Sequence, residues 1–369
     1  MQMTRTHGDD LKERVARTFG TPAVVVDLDI VDANIARVQK LCDAAGVNNR
    51  PHMKTHKNGE LARRQVAAGA IGVACQKVGE AEAMLDAGIL DVLVCYNVLG
   101  AARSGRLATL LKRAGEAADV KLAADNAVAL AAYSEAAAAA GRPVGVLVEC
   151  DTGRKRAGVE TPGEAVKLAA MVRDDPGLAF RGILLYPDGG DWERDQRFLD
   201  DVRDGLAALG MAPEIVSTGG TPNLSALGRL DGVTEHRAGT SIYNDRMMMA
   251  CGAARLEDCA LSVYTTLVSR ASPERGILDA GSKTLTSDVG GLDGHGYVIE
   301  HPEARITHFS EEHGNVDLSA CANPPAIGDV VRVIPNHVCV VVNMVDRIVG
   351  VRGGRIERIL AVDARGRIV

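Results

Sequence analysis

Short apolar, often β-branched runs alternate with amphipathic stretches over about the first two thirds of the chain. Runs such as Val144–Cys150 are apolar almost throughout, as is typical of strands covered on both faces of a parallel sheet. Stretches such as Val31–Ala45 have helical spacing of apolar residues. This alternation predicts βαβ units. The predicted strands are Ala23–Leu28, Arg50–Met53, Ile71–Cys75, Asp91–Cys95, Val120–Ala123, Val144–Cys150, Gly182–Tyr186, Glu214–Ser217 and Val233–Arg237.

These nine strands are one more than a TIM-like (β/α)8 barrel holds, so one of them must pair elsewhere. An open, doubly wound sheet is the alternative, weakened because no GxGxxG motif follows an early strand. After about Asp245 the pattern changes to strands and turns with little helix. An all-β C-terminal domain of about 120 residues is therefore predicted. Its strands are Leu261–Ser269, Gly276–Asp279, Val330–Ile334, Val338–Val342, Arg347–Val351 and Ile356–Val362.

Composition and charge narrow the range of partners. With 42 Lys and Arg against 48 Asp and Glu the net charge is −6, and aromatic residues make up only 3%. A chain without a basic run or stacking platforms is not expected to bind nucleic acid or an anionic membrane. Eight cysteines without paired short spacing indicate reduced thiols. The charged N-terminus and the lack of an apolar run of ~18 residues predict a soluble, cytoplasmic protein.

The segment RPHMKTHK, residues 50–57, lies at the end of a short predicted strand. The carboxyl ends of barrel strands carry the functional groups, so Lys54 is a candidate for a partly desolvated amine that forms a Schiff base. An ordinary basic loop before a helix is the alternative, since most lysines are solvated.

A glycine-rich loop, Ser217-Thr218-Gly219-Gly220-Thr221, follows a later strand. Its backbone N–H groups and hydroxyls could cradle a phosphate, and barrels often bind phosphate in their penultimate loop. The last strand and its loop, residues 234–243, could complete the cradle. A simple glycine-rich turn is the alternative.

Two further motifs carry candidate chemistry. In ECDTGRKRAGV, Arg156 lies at the carboxyl end of a strand, where it could face a ring or an anion, although an exposed basic loop explains it equally simply. In PNHVC, a strand would place His337 and Cys339 on one face. Imidazole and thiolate suit Zn²⁺, and two ligands leave positions open for substrate or water. The alternative is a buried histidine beside an inert cysteine.

Taken together, these motifs resemble one family: the fold-type III pyridoxal-phosphate enzymes that include D-threonine aldolases and D-serine dehydratases. The resemblance covers about residues 20–369. The matching segments are RPHMKTHK, CQKVGEAE, ECDTGRKRAGV, STGGTPN, EHRAGTSIY, LDAGSK, SEEHG and PNHVC.

The resemblance implies an alanine-racemase-like barrel that binds pyridoxal 5'-phosphate over residues 29–245, and a β domain with a metal site over 246–369. Residues 1–28 would supply a strand to that β domain, which absorbs the surplus strand. The resemblance also implies a homodimer and a divalent ion, which is zinc, manganese or magnesium. The implied catalytic residues are Lys54 and His337; the metal ligands are His337 and Cys339. The implied cofactor-binding residues are Lys54, Gln76, Arg156, Tyr186, Ser217, Thr218, Gly219, Gly220, Thr221, Gly239, Thr240 and Tyr243.

The implied activity is that of a lyase acting on D-β-hydroxy-α-amino acids. Retro-aldol cleavage to glycine and an aldehyde is favoured, and β-elimination of water to a keto acid and ammonia is the alternative. Cys339 and KTHK resemble the dehydratases. Pro187-Asp188-Gly189 departs from the aldolases, which tend to carry His after the tyrosine that matches Tyr186. CQKVGEAE and the ending Ala364-Arg365-Gly366 resemble the aldolases.

Three other classes make different predictions. An amino-acid racemase would share the barrel but need no metal. A noncatalytic carrier of the cofactor would need only a barrel, which the second domain argues against. A metal-storage or structural protein would bind no absorbing cofactor.

Overall fold

The computed structural model describes residues 7–369, so residues 1–6 of the predicted N-terminal segment lie outside the described part. The described chain divides into two compact units. The barrel unit contains residues 36–54, 59–239 and 367–369, and the β unit contains residues 7–35, 55–58 and 240–366. Within residues 7–369, none of the helices has both the length and the apolar character that crossing a membrane requires. The described part begins with α1 (His7–Phe19), β1 (Ala23–Asp27) and α2 (Leu28–Ala44).

Eight parallel strands form the barrel unit, in the order β2-β9-β8-β7-β6-β5-β4-β3. A parallel bridge between His52 and Ala74 joins the two ends of this order, which confirms the predicted TIM-like barrel. The strands are β2 (Asn48–Asn49), β3 (Val73–Cys75), β4 (Asp91–Val94), β5 (Asp119–Ala124), β6 (Val144–Cys150), β7 (Leu178–Leu185), β8 (Ile215–Gly219) and β9 (Glu235–Arg237).

Six helices alternate with these strands, and side chains at their N-termini explain where several begin. Asn126 accepts from the Ala129 N–H, and Thr161 does the same for Glu164, directly before Pro162. After β8 a 3₁₀ helix, Thr221–Ala226, replaces an α-helix. The helices are α3 (Gly59–Ala67), α4 (Val78–Asp86), α5 (Ala101–Ala114), α6 (Ala127–Ala140), α7 (Pro162–Asp174) and α8 (Trp192–Ala208).

The barrel interior is layered, because alternate strand residues point inward. One layer is apolar and consists of Leu93, Ala123, Leu147, Leu184 and Ile215. Below it, nearer the amino ends, Lys121 lies 2.8 Å from Asp91, and Arg50 lies 2.7 Å from Glu235. Above it, the next inward positions include Glu149 and Ser217, both buried. The polar upper layer marks the carboxyl end, where function is expected.

The β unit is built on a nine-stranded sheet with the main order β13-β14-β11-β10-β1-β16-β17. β1 pairs antiparallel with β10 and parallel with β16, so it takes no part in the barrel. Leu11 and Val15 of α1 pack on this sheet. The strands are β10 (Leu261–Ser272), β11 (Arg275–Leu278), β12 (Tyr297–Val298), β13 (Arg305–Phe309), β14 (Gly314–Asp317), β15 (Val330–Ile334), β16 (Arg347–Arg352) and β17 (Arg355–Ala361). Its helices are α9 (Arg246–Ala250), α10 (Ser282–Leu285) and α11 (Val338–Met344).

The predicted strand Val338–Val342 is wrong, because the segment forms α11. Its valines favour an extended chain, but the Val338 N–H donates to the buried carboxylate of Asp245 at 3.1 Å. A tertiary contact at the helix N-terminus therefore overrides local propensity.

Candidate active site

Lys54 lies in the turn that follows the bridge at His52. The lysine is half-buried, and the backbone N–H of Lys54 donates to His52 Nδ1 at 3.4 Å. Burial, reinforced by the positive charges of Lys54 and Arg237, holds the pKa of His52 well below its usual value. A neutral imidazole therefore lies beside the backbone of Lys54.

Gln76 follows β3 and is held at both ends. Its N–H donates to the Glu80 carboxylate at 2.6 Å, and its side-chain amide donates to the Cys95 carbonyl at 2.9 Å. The side chain is half-buried, so it is fixed at the carboxyl end of the barrel.

Tyr186 directly follows β7, and two guanidinium groups lie over its ring. The distance from the guanidinium carbon to the ring centroid is 5.2 Å for Arg156 and 4.3 Å for Arg154. The glycine loop also touches this ring, since a Cβ added at Gly220 would lie 2.8 Å from the tyrosine hydroxyl. The structure thus brings Tyr186, Arg156 and the loop together.

Ser217 differs from the other predicted phosphate-loop residues. Its buried hydroxyl donates to Glu235 at 2.5 Å and accepts from Arg237. Ser217 is a strand residue, and its side chain points into the barrel, where two barrel residues engage its hydroxyl. That hydroxyl belongs to the polar interior layer.

The rest of the loop is shaped by backbone geometry. Gly220 has a φ of +105°, which favours glycine, and its N–H donates to the Arg237 carbonyl at 2.9 Å. Gly219 lies in β8 against the same carbonyl. Thr221 is buried and begins the 3₁₀ helix.

His236 supports this loop from beneath. Its Nε2 lies 3.0 Å from the Gly220 carbonyl oxygen, which can only accept, so Nε2 carries the proton. Nδ1 then accepts from the Thr218 hydroxyl, also at 3.0 Å. Burial lowers the pKa of His236 to about 4, which keeps the ring neutral. The imidazole of His236 thus links Thr218 and Gly220 through hydrogen bonds, although His236 lies on the next strand.

In the β unit, Thr240 begins the short 3₁₀ helix Thr240–Ile242, next in sequence to the buried Gly239. Tyr243 follows it and is fully buried. Its hydroxyl has no hydrogen-bond partner among residues 7–369, and burial raises its pKa. A buried hydroxyl without a hydrogen bond is costly, so a ligand that accepts a hydrogen bond from it would stabilise this site.

His337 and Cys339 do meet, but not through the predicted strand. His337 caps α11 and Cys339 is its second residue. The imidazole Nδ1 lies 3.1 Å from the fully buried carboxylate of Asp245, and Cys339 Sγ lies 3.2 Å from the Thr55 hydroxyl. Burial opposes charge on His337, but hydrogen bonds to Asp245 and Cys339 outweigh it and raise its pKa to about 10.

No group of three or more His, Cys, Asp or Glu side chains suited to a metal ion occurs in residues 7–369. The pair would therefore bind an ion through only two side chains, with the carboxylate of Asp245 behind the imidazole. Such an outer partner fixes the ring and raises its basicity.

Comparisons with known proteins agree with this architecture. Residues 26–247 match the alanine racemase N-terminal domain, and residues 260–351 match a putative serine dehydratase domain. The chain is 34% identical over 360 residues to the D-threonine aldolase of Arthrobacter sp, covering 94% of this chain and 93% of that one. The chain belongs to the alanine-racemase-like family of D-threonine aldolases and D-serine dehydratases. The resemblance carried by the motifs is thereby confirmed, and the family depends on pyridoxal phosphate.

Members with different reactions are equally similar. The D-threo-3-hydroxyaspartate dehydratase of Delftia sp. (strain HT23) is 35% identical over 352 residues, covering 87% of this chain and 91% of that one. Its structure aligns with a TM-score of 0.83 at 31% identity, over 93% and 97% of the two chains. A cysteine-to-alanine variant of a D-threo-3-hydroxyaspartate dehydratase is known in a metal-free form, with a TM-score of 0.82, 31% identity and the same coverage.

Sequence reasoning missed three residues of this family member. Arg237 is a buried cation inside the barrel that donates to the Leu185 carbonyl at 3.1 Å. Asp245 orients His337, although it is distant in sequence. Arg154 lies closer to Tyr186 than Arg156 does. Arg237 could have been found from sequence, because a charged residue within a short predicted barrel strand is a signal. No feature of the sequence around Asp245 indicated its contact with His337.

Proposed function

We propose that this chain is a pyridoxal-phosphate- and divalent-metal-dependent lyase that acts on D-β-hydroxy-α-amino acids. Family membership supports the cofactor, and the two relatives act on D-threonine and D-threo-3-hydroxyaspartate according to their names. The observation that carries the proposal is a half-buried Lys54 beside a neutral His52, at the carboxyl end of a closed barrel.

The residues present fit the cofactor. Lys54 supplies an amine, and Gly220 has a conformation that closes a tight loop. Lys57 is the less suitable lysine, because it is buried and its amine lies 3.4 Å from the Ala364 carbonyl oxygen.

When bound, pyridoxal phosphate withdraws electrons from the Cα of an attached amino acid. In our proposal, Lys54 Nζ bonds the cofactor and moves a proton to or from Cα, while Gln76, Arg156 and Tyr186 orient the ring. His337 and Cys339 hold an ion that orients and polarises the β-hydroxyl. Zinc, manganese and magnesium are the candidate ions.

Two reactions follow from where the proton is taken. Loss of the hydroxyl proton leads to Cα–Cβ cleavage, giving glycine and an aldehyde, and we favour this retro-aldol activity. Loss of the Cα proton leads to elimination of water, giving a keto acid and ammonia. Cys339 supports this second candidate, because a cysteine at this place in the motif resembles the dehydratases and not the aldolases.

The test is a product assay on the purified holoenzyme with D-threonine and D-serine, measuring glycine, acetaldehyde, pyruvate and 2-oxobutyrate. Borohydride reduction and peptide mapping then locate the cofactor. We expect the adduct on Lys54 and none on Lys57, and Lys54→Ala should abolish turnover. An adduct on Lys57, or no product from either substrate, would contradict the proposal.

The family resemblance also predicts a homodimer. Sedimentation at the assay concentration checks this, and an active monomer would refute it.

A further inference from the structure

A glycine-rich loop, residues 287–296, lies in the β unit between α10 and β12. Its four glycines, Gly290, Gly291, Gly294 and Gly296, have φ values between +54° and +93°, a region that favours glycine. Because glycine leaves the unfolded backbone more freedom than any other residue, holding this loop in one conformation costs more entropy than holding an ordinary loop. The loop therefore depends on contacts with the rest of the β unit.

The side chain of Asn336, which is only 1% exposed, supplies three of these contacts. Its amide nitrogen donates to the carbonyl oxygens of Asp288 at 3.0 Å and Gly294 at 2.9 Å. Its amide oxygen accepts from the N–H of Gly296 at 2.8 Å and from the guanidinium of Arg246 at 3.1 Å. Two donated and two accepted bonds use the full capacity of an amide, so the side chain has one orientation.

The backbone at Asn336 is held by the start of α9. The N–H of Arg246 donates to the Pro335 carbonyl, and the N–H of Met247 donates to the Asn336 carbonyl, both at 3.2 Å. The next residue is His337, a candidate metal ligand. A shift of Asn336 would therefore turn the imidazole away from the position that its own hydrogen bonds define.

We propose that Asn336 is a positioning residue for the ion at His337 and Cys339, and that through Asn336 the affinity for this ion depends on the order of the glycine-rich loop. This inference rests on the proposed function. The side chain of Asn336 contacts the loop, and its backbone leads directly into the imidazole. Coupling between two sites is reciprocal, so an ordered loop favours ion binding and a bound ion favours the ordered loop.

The first test compares Asn336→Ala with Asn34→Ala in the full-length holoenzyme after its ion has been removed with a chelator. Asn34 is the matched control, because it is also a buried asparagine of the β unit that donates to two carbonyl oxygens, those of Ile242 at 3.2 Å and Asp258 at 2.8 Å. Both variants therefore lose a similar set of buried hydrogen bonds.

Titration with Co²⁺ is the measurement. Asn336→Ala should weaken Co²⁺ binding by about 10- to 100-fold, the usual cost of losing a group that orients a metal ligand. Asn34→Ala should change it by less than about twofold, because separate sites act independently. The charge-transfer absorption of the cobalt–thiolate bond should also shift in Asn336→Ala alone, since a loss of stability without a change at the ligands leaves that band in place.

Hydrogen exchange measures the reciprocal effect without turnover. In the parent, Co²⁺ should slow the exchange of the backbone N–H groups of residues 287–296. In Asn336→Ala, the ion should leave their exchange unchanged.

A second variant, Gly291→Ala, perturbs the loop without touching Asn336, and it carries the test if Asn336→Ala does not fold. Gly291 has a φ of +78° and open space around it, so alanine there strains the loop without a clash. Gly353→Ala, in the turn between β16 and β17, is its control, since Gly353 also has a positive φ, of +53°, and open space. Gly291→Ala should weaken Co²⁺ binding about threefold, and Gly353→Ala should leave it unchanged.

The outcomes separate the inference from the proposed function. Co²⁺ affinity that is unchanged in Asn336→Ala or Gly291→Ala, or that falls equally in the matched controls, would overturn the inference while the metal site stands. Loop exchange that Co²⁺ does not slow in the parent would overturn it as well. If the parent binds no Co²⁺, the metal part of the proposed function fails, and the inference fails with it.

Discussion

His236 in the barrel unit and His337 in the β unit are both largely enclosed by protein, yet their acid–base properties differ in opposite directions. Burial without an anionic partner lowers the pKa of His236 to about 4. For His337, burial is outweighed by hydrogen bonds to Asp245 and Cys339, and its pKa rises to about 10. Burial alone therefore does not set the pKa of an enclosed histidine. A carboxylate partner such as Asp245 makes the ring positively charged, and a carbonyl partner such as that of Gly220 leaves it neutral.

The largest effect should come from breaking the pair in the β unit. Cys339→Ala, like treatment with a chelator, should lower lyase activity by about 1000-fold, because metal assistance is worth several kcal/mol. Absorbance of the bound cofactor should remain. Cys339→Asp should retain part of the activity and prefer harder ions such as Mn²⁺. Cys251→Ala, an exposed cysteine of the same unit, is the control. Unchanged activity after chelation would mean that the pair is only packing.

The next largest effect concerns the loop that His236 supports. Gly220→Ala should weaken cofactor affinity by about 10- to 100-fold, because it combines a strained φ with a clash against Tyr186. Gly228→Ala is a matched control, since Gly228 also has a positive φ, of +85°, but has open space around it. Fluorescence titration of the cofactor measures both. Equal losses would attribute the effect to backbone strain alone.

Asp245→Asn tests whether the carboxylate makes His337 a better ligand. Loss of such an outer partner should weaken metal binding by about 10- to 100-fold, measured by metal titration, and should leave cofactor affinity unchanged. Asparagine still caps α9, so the helix should persist. Asp191→Asn, at the N-terminus of α8, controls for a changed cap elsewhere. A metal affinity equal to that of the parent would contradict the assigned role.

The smallest effect is a dependence on pH that comes from His236. Its pKa is lower in the folded state than the usual 6.5, so its stabilising contribution is complete above pH 6.5 and is lost as the pH falls towards 4. His236→Gln keeps a donor for the Gly220 carbonyl but cannot titrate. Between pH 7 and 5.5, the parent should lose about 1 kcal/mol more unfolding free energy than this variant. Urea unfolding at both pH values measures the difference, and parallel losses would refute it.

The barrel could be predicted from sequence because each strand and helix has its own local pattern. Val144–Cys150, for example, has the predicted bounds, since its apolar run and flanking turns are local signals. Strands β12 to β14 were missed because they are short and pair with distant partners. Candidate residues within basic or glycine-rich motifs could also be proposed from local sequence. Lys54 and Gly220 are examples.

Contacts between distant residues could not be predicted. The hydroxyl of Ser217 is engaged by Glu235 and Arg237, which only the register of β8 and β9 brings together. His337 and Cys339 were proposed as a pair for the wrong geometric reason, because spacing by two also brings side chains together at the first turn of a helix. Asp245 could not be linked to them from sequence.

The short helix α11 has a consequence for the order of events during folding. It has seven residues, four of them valine, and a helix of this length and composition does not persist in water by itself. Its first N–H is bound by a carboxylate 93 residues earlier in the chain, so the helix forms only after that long loop has closed. The helical arrangement of the two candidate ligands, His337 and Cys339, is therefore set by a contact distant in sequence, and not by their own segment.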